Sequence, residues 1–274
     1  MKFDLLAQLW VLIPLVLMIR GFFVEPYKLS LREERVYIED LPRSLEGVCL
    51  LHLTDLHLRG NEAYDRRLVN LIREAAPDLV VLTGDYLDDL RRLPELTRVI
   101  SQISGCYPVL AVLGDNDMPE AARIQSALEE GGARVLRNEG EHLEIKSATL
   151  YVAGIDDPRF TSSDLVQALK KRGQEAVPAV LLSHSAEIFP QALANDVDLL
   201  LCGHTHSGQV CLPLWGALYT NDRLGRRYAS GLLREGQLQI HVSTGVGWAK
   251  LPVRLFCLPE VVRIRLRRGQ SSQP

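Results

Sequence analysis

Five short apolar runs punctuate the chain, at residues 48–53, 79–82, 109–113, 180–182 and 197–201. Each is bounded by Gly, Asp or Ser, and runs of this length so bounded predict buried parallel strands. Between them the pattern lengthens to a helical one. Residues 63–76 predict a helix stopped by Pro77, and 119–130 predict a second with Pro119 in its first turn and Gly131-Gly132 behind it. Residues 162–172 and 185–194 predict two more. The steps from Asp55 to Asp85 and from Asp85 to Asp115 are both 30 residues, the length of one βαβ unit. Residues 143–145, 150–153, 238–242 and 261–266 read as strands of a second sheet, and Leu29, Leu31 and residues 36–38 as an edge strand.

The N-terminal pattern is different in kind. Residues 5–24 are apolar throughout except for one charge, Arg20. As a helix they would span about 30 Å, the thickness of a bilayer core. Pro14 is tolerable in such a helix, and Arg20 lies near enough to its end to reach the interface. A cleaved signal peptide is disfavoured, because the positive region is only Met1-Lys2 and no small-x-small site follows Arg20. Lys2 lies on one flank, while Arg20, Lys28, Arg32 and Arg35 lie on the other. The positive-inside rule then favours an inner-membrane protein with a cytoplasmic catalytic domain. The expected organisation is an anchor over 1–24, a tether and entry strand over 25–46, a catalytic domain over 47–267 and a flexible tail over 268–274.

Composition narrows this further. Of 274 residues 47% are hydrophobic, enough for a large core. The net charge of -3 gives no sign of a nucleic-acid-binding surface. The five cysteines are scattered without a CxxC pair, and read as buried small hydrophobes rather than zinc ligands.

The strand ends carry the chemistry. Asp55-Leu56-His57, Gly84-Asp85, Gly114-Asp115-Asn116-Asp117, Ser183-His184 and Gly203-His204-Thr205-His206 follow the five apolar runs in order. They supply seven metal-competent side chains, Asp55, His57, Asp85, Asp115, His184, His204 and His206. Side chains after the carboxyl ends of parallel strands are expected to converge on one sheet edge. Any one element alone has a bland reading as a helix cap, a turn or a core histidine. The ordered set of five does not. His52, His142 and His241 read as structural, His241 with a place behind the site. Arg226-Arg227 face either a phosphate or solvent.

This set resembles the calcineurin-like binuclear metallophosphoesterases, whose pattern is DxH, GD, GN[HR]D, a lone His and GHxH. The resemblance continues through Gly208-Gln209-Val210, Leu224-Gly225-Arg226-Arg227-Tyr228 and Gly245-Val246-Gly247, as in a bacterial branch with an N-terminal membrane anchor. It implies a four-layer αββα sandwich of two mixed sheets. It implies that Asp55, His57 and His206 hold one divalent metal, that Asp115, His184 and His204 hold a second, and that Asp85 bridges them. Mixed imidazole and carboxylate donors suit Mn, Fe or Zn. A metal-bridging hydroxide is then the expected nucleophile on a phosphodiester or pyrophosphate. The anchor suggests a membrane-associated or lipid-linked substrate such as UDP-2,3-diacylglucosamine, which a sister branch hydrolyses. Asn116 and His204 are the expected catalytic side chains.

One departure matters. Asp115 stands where the family has Asn, adding negative charge to the metal pair, and Asn116 stands where it has His or Arg. Asn cannot supply a proton at neutral pH. Substrates with acidic leaving groups would tolerate this best. The rival expectation is a catalytically impaired membrane scaffold that keeps the fold; the intact seven-residue set argues against it.

Overall fold

A computed structural model describes residues 2–160, 162–173 and 177–269. Residues 270–274 of the expected tail lie outside the described residues. The strands are β1 (Ser30–Ile38), β2 (Cys49–Leu53), β3 (Leu79–Leu82), β4 (Val109–Ala111), β5 (Arg134–Val135), β6 (Glu139–Ile145) and β7 (Ala148–Gly154). They continue as β8 (Ala179–Leu182), β9 (Leu199–Cys202), β10 (Cys211–Leu212), β11 (Gly216–Ala217), β12 (Gly231–Glu235), β13 (Leu238–Val242) and β14 (Glu260–Arg268). Two six-stranded mixed sheets result, in the orders β1-β14-β2-β3-β4-β5 and β12-β13-β9-β8-β7-β6, with β10-β11 as a separate hairpin.

The layers follow from which face each strand residue takes. Leu50, Leu79, Val81 and Leu110 of the first sheet meet Leu150, Val180, Leu182 and Leu201 of the second in one buried cluster. Leu51, Leu53, Val80 and Leu82 face the other way. They pack on helices α2 (Glu62–Ala75), α3 (Leu93–Ser104) and α4 (Ala121–Glu130). Tyr151, Leu181, Leu200 and Ile240 likewise pack on α5 (Leu165–Leu169) and α6 (Phe189–Ala194) with the turn before it. Burial on both faces explains why these strands read as unbroken apolar runs. The order helix, sheet, sheet, helix is the expected sandwich.

Several expectations change at this level. The strand at 261–266 lies in the first sheet, between β1 and β2, antiparallel to β2. Its alternation shows one face buried but does not say against which partner. The five motif strands do not share a sheet: β2, β3 and β4 belong to the first, β8 and β9 to the second. The site therefore forms where the carboxyl ends of two sheets meet, not along one edge. Pro119 lies in a 3₁₀ turn, Met118–Glu120, and α4 starts at Ala121. The helix expected at 162–172 is α5 followed by a 3₁₀ turn, opened by Asp164 accepting from the Gln167 amide at 2.9 Å. That expected at 185–194 is a 3₁₀ turn, Ala186–Ile188, running into α6. Helix α3 was not among the expected elements. Four of the cysteines are buried, but Cys106 is exposed.

The N-terminal helix α1 (Lys2–Ile19) continues into a π-turn, Arg20–Val24. Residues Trp10–Tyr27 are long and apolar enough to cross a membrane by length and composition. Arg20 pairs with buried Glu25 and lies 4.8 Å over the Phe256 ring.

Candidate metal centre

Loops leaving the ends of β2, β3, β4, β8 and β9 bring all seven sequence-identified donors together. Asp55, His57 and His206 form one group and Asp115, His184 and His204 a second, each with its ligand atoms within 4.8 Å of one another. Asp85 lies between the groups. Its Oδ2 is 3.8 Å from His57 Nε2, and its Oδ1 is 3.4 Å from His184 Nε2.

The donor orientations are set from behind. His57 Nδ1 lies 2.6 Å from Asp88 Oδ1, so its proton sits there and Nε2 turns a lone pair inward. His184 Nδ1 donates to the Thr83 carbonyl at 2.7 Å, leaving Nε2 3.0 Å from Asp115 Oδ1. His204 Nε2 donates to the Asn221 carbonyl at 2.9 Å, leaving Nδ1 3.1 Å from Asp115 Oδ1. His57 and His206 present their Nε2 atoms to each other at 3.2 Å. Asp55 Oδ1 is 3.1 Å from His206 Nε2, yet it is buried without an aligned hydrogen bond. Imidazole nitrogens and carboxylate oxygens crowded this closely on one space are the arrangement a cation satisfies. The two clusters fit a binuclear divalent metal site.

Backbone geometry points the same way. Asp55, His57, Asp85, His204 and His206 have φ of 52°, 40°, 57°, 70° and 49°. The left-handed region costs a non-glycine residue about 1–3 kcal/mol. Five such residues at one site aim side chains that ordinary turns would not bring together. Gly84 and Gly114 permit the approach: a Cβ at Gly84 would collide with the Gly114 backbone, and one at Gly114 with Asp85. Asp117 locks the two loops. Its carboxylate accepts from the amides of Asp85, Gly114 and Tyr86 at 2.7, 2.8 and 3.1 Å.

The electrostatics show an excess of carboxylate. Burial opposes charge on His57, His184 and His204, but the surrounding aspartates outweigh it and raise all three pKa values. Burial likewise opposes ionisation of Asp55 and Asp115, and the neighbouring histidines overcome it and hold both carboxyls below their usual range. On Asp117, burial and the Asp85 charge win over its backbone bonds and push it up to about 7. A field that draws protons onto buried imidazoles is one that divalent cations would neutralise.

A cavity of about 540 Å³ opens beside these groups, lined by Asp85, Asp115, Asn116, His204, Tyr219 and Lys250 among others. Asn116 is among the lining residues, and its side-chain amide is engaged, donating to Asp85 Oδ2 at 2.7 Å. Arg159 was missed. Its Nη1 lies 3.2 Å from Asp115 Oδ2 and 2.7 Å from His204 Nε2. The signal was the polar run Asp156-Asp157-Pro158-Arg159 directly after an apolar strand. Asp88 and Arg254 were also not singled out as orienting groups. Arg254 is fully buried, donates to the carbonyls of Thr244, Gly245 and Gly247, and lies 3.3 Å from His206 Nδ1. Arg227 is instead paired with Glu235 at 2.7 Å, and Arg226 reaches the Leu218 carbonyl at 3.4 Å. His52 and His241 are buried behind the site, facing each other at 3.4 Å. His142 bonds the Lys171 carbonyl at 2.9 Å, away from it.

A two-sheet sandwich with paired Asp/His clusters around a shared carboxylate defines the binuclear metallohydrolase class. The family model for the calcineurin-like phosphoesterases matches residues 50–208, and the chain belongs to that family. It is 26% identical to the uncharacterized metallophosphoesterase YkuE of Bacillus subtilis, over 89% of this chain and 88% of that protein. It is 30% identical to the phosphodiesterase YaeI of Escherichia coli, over 79% and 81%. Among solved structures, the sulfate thiohydrolase SoxB of Thermus thermophilus superposes with a TM-score of 0.50 at 18% identity, covering 80% of this chain and 58% of that one. That likeness concerns the fold alone. The chain is a metal-dependent phosphoester hydrolase.

Proposed function

We propose that this protein is a membrane-anchored hydrolase of phosphodiester or pyrophosphate bonds, with a metal pair held by Asp55, His57, Asp85, Asp115, His184, His204 and His206. The observation that carries the reading is Asp85, whose two oxygens each address a different Asp/His cluster. Two divalent ions there supply positive charge to a phosphoryl group and lower the pKa of a water. The chain's own residues do the rest. Asp88 and the Thr83 carbonyl hold His57 and His184 in the tautomers that face the site. Asn116 braces Asp85 through its side-chain and backbone N–H groups, at 2.7 and 3.0 Å. Arg159 stands against Asp115 and His204, where its guanidinium would meet negative charge on a phosphoryl or departing oxygen without giving up a proton.

Asn116 as the neighbour of Asp85 supports substrates with acidic leaving groups, hence pyrophosphates and activated diesters. The apolar segment at 5–24 supports a substrate at or in the membrane, UDP-2,3-diacylglucosamine being one example. Its basic flank supports a cytoplasmic catalytic domain. The test is elemental analysis of purified protein, followed by assay against diesters, monoesters and nucleotide-linked lipids. Two ions per chain and turnover of diesters or pyrophosphates are expected. One ion or none in an active sample refutes the binuclear reading. A periplasm-dependent reporter fused after Pro274 that proves active overturns the orientation.

A further inference from the structure

Outside the N-terminal segment, nine large hydrophobic side chains are exposed among the described residues, and seven of them lie at 212–219, 251 and 256. They are not scattered in space. The β10–β11 hairpin carries Leu214 and Trp215 at its tip, one fully and the other 72% exposed. The tip is built to hold them out. The Trp215 amide donates to the Leu212 carbonyl at 3.1 Å, closing a four-residue turn with Pro213 at its second position. Leu214 at the third position has φ 71°. This is the form of a type II turn, where Gly or Asn normally stands. A leucine in a sterically costly conformation, projecting wholly into solvent, is not accounted for by folding of the hairpin.

The same surface adjoins the end of the apolar helix. The Arg254 amide donates to the Gly21 carbonyl at 2.9 Å, and a Cβ on Gly21 would lie 3.6 and 3.7 Å from Leu255 and Val253. Arg20 lies over Phe256, and Tyr27 packs edge-on to Trp248 at 5.3 Å. On its other side this segment holds the hairpin, the Cys211 amide donating to the Leu255 carbonyl at 2.9 Å. It also lines the catalytic cavity through Leu251 and Val253, together with Asp85 and His206. Helix end, apolar hairpin and cavity mouth are thus three sides of residues 251–256. Tyr219 and Lys250 stand at that mouth. Exposed Trp and Tyr beside Lys and Arg are the side chains that favour the bilayer–water boundary.

We propose that the β10–β11 hairpin, with Leu251 and Phe256, inserts into the bilayer face and seats the cavity mouth on the membrane, so that phosphoesters embedded in the bilayer reach the metal site laterally. The occupant is a lipid bilayer, because the surface is continuous with the end of a membrane-spanning helix, which fixes the bilayer boundary beside it. This rests on the anchor read from residues 5–24.

The test uses the full metal-loaded chain, with Trp10 and Trp248 replaced by Phe, in phosphatidylcholine–phosphatidylglycerol vesicles. Trp215 is then the reporter. Quenching by lipids brominated on the acyl chains, with shielding from iodide, is expected. Protein that survives an alkaline carbonate wash but shows iodide-accessible, bromine-insensitive Trp215 overturns the proposal and leaves the anchor standing. Protein stripped by the wash overturns both. Shielding without bromine quenching, accompanied by cross-linking between copies, assigns the surface to a second chain and also overturns it. The double variant Leu214→Asp, Trp215→Ser should lose at least about tenfold in turnover of a vesicle-embedded phosphodiester, while turnover of soluble bis(4-nitrophenyl) phosphate is unchanged. Equal loss on both substrates overturns the proposal.

Discussion

In the proposed mechanism, Asn116 and Arg159 together take the part of the histidine that the family pattern carries at position 116. The Asn116 side chain donates to Asp85 and has no proton to release near neutrality. Arg159 offers charge instead, from the far side of Asp115. These roles separate in a leaving-group series. Wild type should show steep dependence on leaving-group pKa, because nothing protonates the departing oxygen. Asn116→His should flatten it, helping alkyl esters more than aryl ones, at best by the roughly 10²–10⁴-fold of general acid catalysis. A flat wild-type profile means another group supplies the proton. Arg159→Gln removes a charge-assisted donor, so kcat should fall by about 10²-fold for good and poor leaving groups alike. If only KM rises, Arg159 binds ground state and transition state equally and contributes nothing to the chemical step.

At the scale of elements, what the sequence made legible depended on whether a signal was local. Strands β2, β3, β8 and β9 stood out because both faces are buried, and their chemistry sits within a few residues of their ends. The partner of 261–266 was not legible, since a strand's alternation marks its buried face but not its neighbour. Helix α3 was legible in retrospect: Leu96, Val99, Ile100 and Ile103 recur at helical spacing and are buried. Arg159 and Asp88 reach the site only because β7 and β3 end beside it, which is tertiary information. His52 and His241 show a further non-local pairing. Leu51 and Leu53 face the outer helices, so His52 between them faces the second sheet, where His241 occupies the corresponding position on β13. Burial lowers the His52 pKa to about 3 and places that of His241 well below its usual value. Both are neutral in the folded chain, while near pH 6 and below they protonate when unfolded. The unfolded state then binds more protons, so stability is retained above about pH 6.5 and lost as pH falls toward 3. His52→Gln should reduce that slope by about 1.4 kcal/mol per pH unit in urea unfolding of chelator-treated protein between pH 6.5 and 4.5. Parallel slopes for variant and wild type would show that His52 is not held neutral.

Across the whole molecule, the seven donors join the two sheets. Asp55, His57, Asp85 and Asp115 follow strands of the first, and His184, His204 and His206 follow strands of the second. No disulfide ties these edges together, and five of the donors hold left-handed backbone. At even about 1 kcal/mol each, that strain takes a large share of the 5–15 kcal/mol by which a domain is stable. Buried carboxylates and protonated imidazoles add to the cost when no cation is bound. Divalent ions that bind only the folded site should therefore stabilise the molecule as well as activate it. The expected gain is about 2.7 kcal/mol per site at 100 times its Kd. Manganese or zinc should raise the unfolding midpoint by several degrees, and a chelator should reverse the shift. Asp85→Ala should lose both ions and the whole metal-dependent part of that shift, because one residue serves both clusters. Asp88→Asn, which leaves every donor in place, should weaken the ion at Asp55, His57 and His206 by about 10–100-fold and shift the midpoint only in subsaturating metal. A midpoint that ignores divalent ions while activity depends on them would mean that the strained loops are held by the protein alone, chiefly by the Asp117 clamp.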